Sequence, residues 1–197
     1  MQEQANVSLS ERELQLVCDP GWILTKNAIL SKVITLFGQT AVGYSEQLKQ
    51  SRLPEALREQ SPKISRGEQY NGLPYAMLDL PRSFGREDVF AIRSFFWWGH
   101  VFSVTLHLKG VYREQYAAAV ERAAAGGRLE GAWVNLGTAE WVHHADEGSW
   151  ARLEPGWKPA AGNPLLKLQY QLPLTCWEQA AWFLQESFGK FLGVVDV

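Results

Sequence analysis

Apolar residues recur at steps of three and four in the first quarter of the chain and at steps of two from about residue 73 onward. The first spacing is that of one helix face, and the second is that of a strand with one side buried. Trp22, Ile29, Val33, Phe37, Thr40, Tyr44 and Leu48 form a single stripe, which predicts a long helix from Pro20 to about Gln50. Asp19 stands where an N-cap is needed, and Pro20 suits the first helical position. A shorter helix over 10–18 precedes it, because Ser10 and Glu13 have the spacing of a capping box. Residues 51–72 carry Pro54, Pro62, Gly67 and Gly72 among polar side chains and read as a connector, with room for one helical turn over 53–58.

Beyond the connector, 75–80 reads as a strand stopped by Pro81, followed by strands over 90–98 and 101–109. A helix over 111–125 is closed by Gly126-Gly127. Weaker strands are expected over 132–136 and 141–144, then a Gly/Pro/Trp-rich loop over 145–163, and then a strand over 165–172. Thr175 and Glu178 have capping-box spacing for a last helix. Val194–Val197 is an apolar tail, read as an edge strand, a contact with a partner or a frayed end. The expected fold is α+β: an antiparallel sheet of about five to six strands with helices packed on one face, preceded by a helical N-terminal segment. The whole is read as a single domain over 1–197, with 10–50 as a helical layer, 51–72 as connector and 73–197 as the α+β core.

The register of the 90–109 hairpin carries the functional expectation. A two-residue turn at Gly99-His100 would set Arg93 beside Leu106, among apolar neighbours. A three-residue turn, Trp98-Gly99-His100, instead pairs position 93 with 105 and 97 with 101. Burying an unpaired Arg is expensive, so the second register is expected. It places Phe90, Ile92, Phe96, Phe102, Val104, Leu106 and Leu108 on one face. Arg93, Phe95, Trp97, Ser103, Thr105 and His107 then share the other. That second set is an aromatic platform with one cation and several donors, a composition found in ligand sites. It suits a small anionic or aromatic ligand, with Arg93 as the anion partner and the 51–72 or 145–163 loop as a lid.

Composition narrows the choice of function. Among 197 residues there are nine Trp, a residue enriched at interfaces and binding sites. The net charge of -2 comes from scattered charges with no basic run, which disfavours nucleic acid as a partner. No apolar run reaches the length of a membrane span. Cys18 and Cys176 lie far apart, and the N-terminus lacks a secretory pattern, so the expected compartment is the cytoplasm. His143-His144 with Asp146 and Glu147 is a weak metal candidate, because neighbours on a strand point to opposite faces; no metal and no cofactor is expected. Asp79, Arg82, Asp88 and Arg93 form a second charged group, read as turn and capping residues. The leading expectation is a non-catalytic small-ligand-binding protein. The alternative is a homodimeric structural or regulatory interaction protein that uses Trp22 and the N-terminal helices. An enzyme with His107 or His100 as base and Arg93 as anion clamp ranks third, since no nucleophile, metal set or phosphate loop supports it.

Overall fold

The computed structural model describes residues 7–146, 148–160 and 162–197. Helix α1 (Glu11–Val17) begins at the expected capping box: Glu13 N–H donates to Ser10 Oγ, and Ser10 N–H donates to the Glu13 carboxylate. Helix α2 (Pro20–Gln50) starts where Asp19 Oδ1 accepts from Gly21 N–H at 2.8 Å. Its buried stripe begins only at Leu30 and continues through Val33, Phe37, Ala41, Tyr44 and Leu48. Trp22, expected in that stripe, is exposed, because the first turns of α2 have no sheet beneath them.

Seven strands form one antiparallel sheet: β1 (Lys63–Tyr70), β2 (Leu73–Phe84), β3 (Val89–Trp97), β4 (Val101–Lys109), β5 (Trp133–Asn135), β6 (Trp150–Arg152) and β7 (Leu165–Pro173). Their spatial order is β1-β2-β3-β4-β7-β5-β6. The count exceeds the expected five to six for identifiable reasons. The presumed connector contains the whole of β1, after the short helix α3 (Glu55–Arg58) that meets the helical turn expected over 53–58. The presumed 145–163 loop contains β6. Conversely, 141–144 is irregular rather than a strand. Pro81 does not end β2, because the ladder with β3 shifts register between Asp79 and Arg82, and a bulge needs no donor at that point.

Helix α4 (Val111–Ala125) lies where the sequence placed it. The last helix is shorter than expected: Leu174–Gln179 is a 3-10 turn without a side-chain cap, and α5 (Ala180–Val195) follows it. The 194–197 tail adds no strand, since Val194 and Val195 are buried in the end of α5. Helices α2, α4 and α5 cover one sheet face. One apolar cluster joins Phe37 and Leu48 of α2, Val120 of α4 and Phe188 of α5 to Phe90, Ile92, Phe102 and Leu106 of the sheet. A polar link crosses it: Tyr44 Oη is 2.8 Å from Ser94 Oγ and donates to Leu184 O, so neither hydroxyl is left unpaired in the core.

Candidate functional site

The β3–β4 register is the one expected: Arg93 faces Thr105, Phe95 faces Ser103 and Ala91 faces His107. Neighbouring strands extend each level across the sheet. Asp79 of β2 stands opposite Arg93, and Gln169 of β7 stands opposite Thr105. One row therefore runs Asp79–Arg93–Thr105–Gln169 over four strands. The flanking rows add Lys167 beside His107 and Gln171 beside Ser103. All six predicted site residues, Arg93, Phe95, Trp97, Ser103, Thr105 and His107, lie on this second face, away from the helices.

The face is covered. Residues 136–146 with 148 and 149, between β5 and β6, fold back over it as a strap. The strap is closed at its base where Leu136 N–H donates to Ser149 O at 2.9 Å. Such a loop, with its ends together and its own side chains packed beneath it, is an Ω-loop. The sheet's polar side chains are aimed at its backbone. Lys167 Nζ donates to Glu140 O at 2.9 Å and to Val142 O at 2.5 Å. Gln169 accepts from Ala145 N–H and donates to His143 O, both at 2.9 Å, and also donates to Thr105 Oγ1 at 2.8 Å. Tyr70 Oη accepts from His143 N–H at 2.7 Å and lies 2.7 Å from His144 Nδ1. Beneath the strap, the rings of Tyr70, Phe95, Trp97, His143 and His144 pack edge to face or tilted, and His100 lies flat on Trp97 at 3.5 Å.

The charges are accounted for in the same way. Arg93 grips Asp79 through Nε–Oδ1 at 2.6 Å and Nη2–Oδ2 at 3.0 Å, and its Nη1 is 3.3 Å from the ring nitrogens of His143. Both partners of the pair are largely buried. Arg93 is thus neutralised within the fold and is not a free anion clamp. Burial holds His107 neutral, at a pKa of about 3, with the Lys167, Arg93 and Lys109 cations adding to the effect. His143 is likewise pushed to about 3 by burial and by Arg93. Glu140 Oε1 comes within 3.8 Å of His107 Nε2 without offsetting this, and its other oxygen takes Lys109 at 2.8 Å. Burial and Arg93 lower Lys167 to about 8. Ser103 Oγ, His107 Nε2 and Glu140 Oε1 are buried without hydrogen-bond partners among the described residues.

A ligand on this face would have to displace the strap. The cover comes from the strap rather than from 51–72. Asp79, Tyr70, His143, Lys167 and Gln169 belong to the site and were not among the predicted residues. The alternation of Lys167, Gln169 and Gln171 was visible, but which strand β7 joins was not. Of the other charged residues, Arg82 binds Ser61 O and Asp88 caps Val111 N–H. Among the described residues no three His, Cys, Asp or Glu side chains are grouped to hold a metal, and Glu147 lies outside them. No helix among the described residues is long and apolar enough to cross a membrane.

Replacing Lys167 by Met keeps most of the side-chain volume and removes both donors to the strap, leaving two backbone carbonyls unsatisfied at about 1–3 kcal/mol each. Limited proteolysis is expected to cut this variant within 137–149 well before the wild type, with the rest of the chain equally resistant. Unchanged cleavage there would mean that Lys167 does not hold the strap. Comparison with protein-family models, with curated proteins and with solved structures found no match to this chain.

Proposed function

We propose that this protein is a non-catalytic interaction protein that docks on another protein through residues 7–24. The observation that carries the reading is the exposure of eight large apolar side chains in that segment, from Leu16 at 43% to Val7 at 90%. Together they offer several hundred Å², approaching the roughly 800 Å² per partner of a stable interface. Exposed apolar patches of that extent on soluble proteins mark contact sites. Helix α1 has only seven residues and buries none of them. A helix this short gains little from its own backbone bonds, so an apolar surface that covers Leu14, Val17 and Trp22 would supply what the fold does not. On the polar face, by contrast, Lys167 and Gln169 donate to the face's own strap and Arg93 is held by Asp79.

The segment carries Glu11, Glu13 and Asp19 against Arg12 alone. A second copy would meet it with like charge, whereas a groove with an apolar floor and a basic rim would complement it. Photo-crosslinking residues placed at Leu16 and Trp22 are expected to capture one common protein that is not captured from Lys158. With that protein purified, Val17→Glu is expected to weaken binding at least tenfold while leaving the unfolding midpoint unchanged, and a 7–24 peptide is expected to compete. Binding indifferent to Val17→Glu would overturn the reading. So would self-association, or adhesion to lipid vesicles, that depends on Val17.

A further inference from the structure

We infer that a second copy of this chain adds to the sheet through β1, paired antiparallel across a two-fold axis centred on Gly67. Among the described residues the sheet ends at β1 on one side and at the three-residue β6 on the other, so there β1 is the long free edge. A free edge presents a row of unpaired donors and acceptors, which a further strand can satisfy. When a strand pairs with its own copy about an axis perpendicular to the sheet, one residue must face itself, and the choice of that residue fixes every other pair.

The side chains of β1 select among the possible registers. Centring on Arg66 would set two guanidinium groups against each other. Centring on Ser65 would set Arg66 opposite Ile64. Centring on Gly67 sets Arg66 of each copy opposite Glu68 of the other, giving two ion pairs by symmetry. Both side chains lie on the same sheet face, as this requires. Arg66 is paired in register with Ala76, whose side chain is in the core, and Glu68 reaches Lys26 of α2 at 2.8 Å. Arg66 and Glu68 are both exposed, and Arg66 has no ion pair among the described residues. A carboxylate has enough acceptor sites to hold Lys26 and an incoming guanidinium together.

The space beside the edge suits the same register. A groove between β1 and α2 is lined by Asn27, Ser31, Gly67, Glu68 and the chain's own Arg66, so an incoming guanidinium would meet Glu68 beside that Arg66. At Gly67 the Tyr75 ring fills the space that a side chain would take, since a Cβ there would fall 2.6 Å from that ring. A shift in the β1–β2 ladder between Gly67 and Tyr70 ends the regular strand just past the axis. The paired stretch is therefore short and the expected dimer weak. This surface is separate from residues 7–24.

The test is sedimentation velocity over a concentration series reaching the millimolar range, run on the wild type and on Val17→Glu so that association through residues 7–24 is recognised separately. Both are expected to shift from monomer to dimer. Arg66→Glu and Glu68→Arg, each at an exposed position, should each raise the dissociation constant at least roughly tenfold, because two like-charge pairs replace two ion pairs. An equimolar mixture of the two variants should recover the dimer, since one chain then offers two acids and the other two bases. A wild type that stays monomeric throughout, a dimer unaffected by either substitution, or a mixture no tighter than its components would each overturn the proposal.

Discussion

Asp79→Ala is expected to destabilise the fold by about 3–5 kcal/mol, the cost of leaving one partner of a buried ion pair alone. The carboxylate takes two of the three Arg93 nitrogens, both at hydrogen-bond distance, and the pair sits on a sheet face roofed by the strap. Without it the guanidinium faces the neutral His143 ring, with Lys167 adding a second cation to the same buried region. Among the described residues no second carboxylate is bonded to Arg93. The comparison that isolates the cause is the double variant Asp79→Leu/Arg93→Met. Removing both charges should recover most of the loss, because two apolar side chains need no partner. Urea unfolding gives both values from the midpoint if the slope is unchanged. A loss under about 1 kcal/mol for Asp79→Ala would place the pair in water and the strap away from it.

Acid should release stability through His107 and His143. Both have pKa values of about 3 in the fold, against about 6.5 in an unfolded chain. Each is held down first by burial, and then by cations: Lys167, Arg93 and Lys109 around His107, and Arg93 and Lys167 around His143. The unfolded chain therefore takes up protons that the fold refuses once the pH drops below about 6.5. The stabilisation is complete above that value and is lost progressively down to about pH 3, where both states are protonated. Between pH 7 and 5 the loss is about 2 kcal/mol for one histidine, and about 2–4 kcal/mol for the coupled pair. His143→Gln should flatten stability against pH over this range, and the His107→Asn/His143→Gln double variant should flatten it further. A wild-type profile that is level between pH 7 and 5 would mean that the two rings are solvated in the native state.

The features legible in the sequence were those set by local pattern. The Asp19-Pro20 helix start, the Ser10/Glu13 capping box and the β3–β4 register all follow from spacing that the fold has no reason to override. The register inference rested on the cost of an unpaired Arg. That cost is real, but the fold meets it with Asp79 rather than with water, so the right pairing came with a face expected to be more open than it is. Strand β1 was hidden because an edge strand can be polar and hold a glycine, as 63–70 does. Strand β2 passes Pro81 because a bulge absorbs it. The strap has no periodicity at all. Its place is fixed by Lys167, Gln169 and Tyr70, which are 20 to 75 residues away in sequence, and their convergence depends on β7 lying beside β4. Trp22 was assigned to a buried stripe because helical periodicity does not reveal where the supporting sheet ends.

Residues 7–24 are proposed as the surface open to a partner because the strap closes the polar face. Amide hydrogen exchange at neutral pH tests this most directly. The His143 and Ala145 amides, which donate to Tyr70 Oη and Gln169 Oε1, should exchange far more slowly than the amide of Leu9 in the uncovered N-terminal segment. Exchange of His143 and Ala145 as fast as Leu9 would show the strap open, return Arg93, Trp97 and His107 to the solvent as a binding face, and contradict the account.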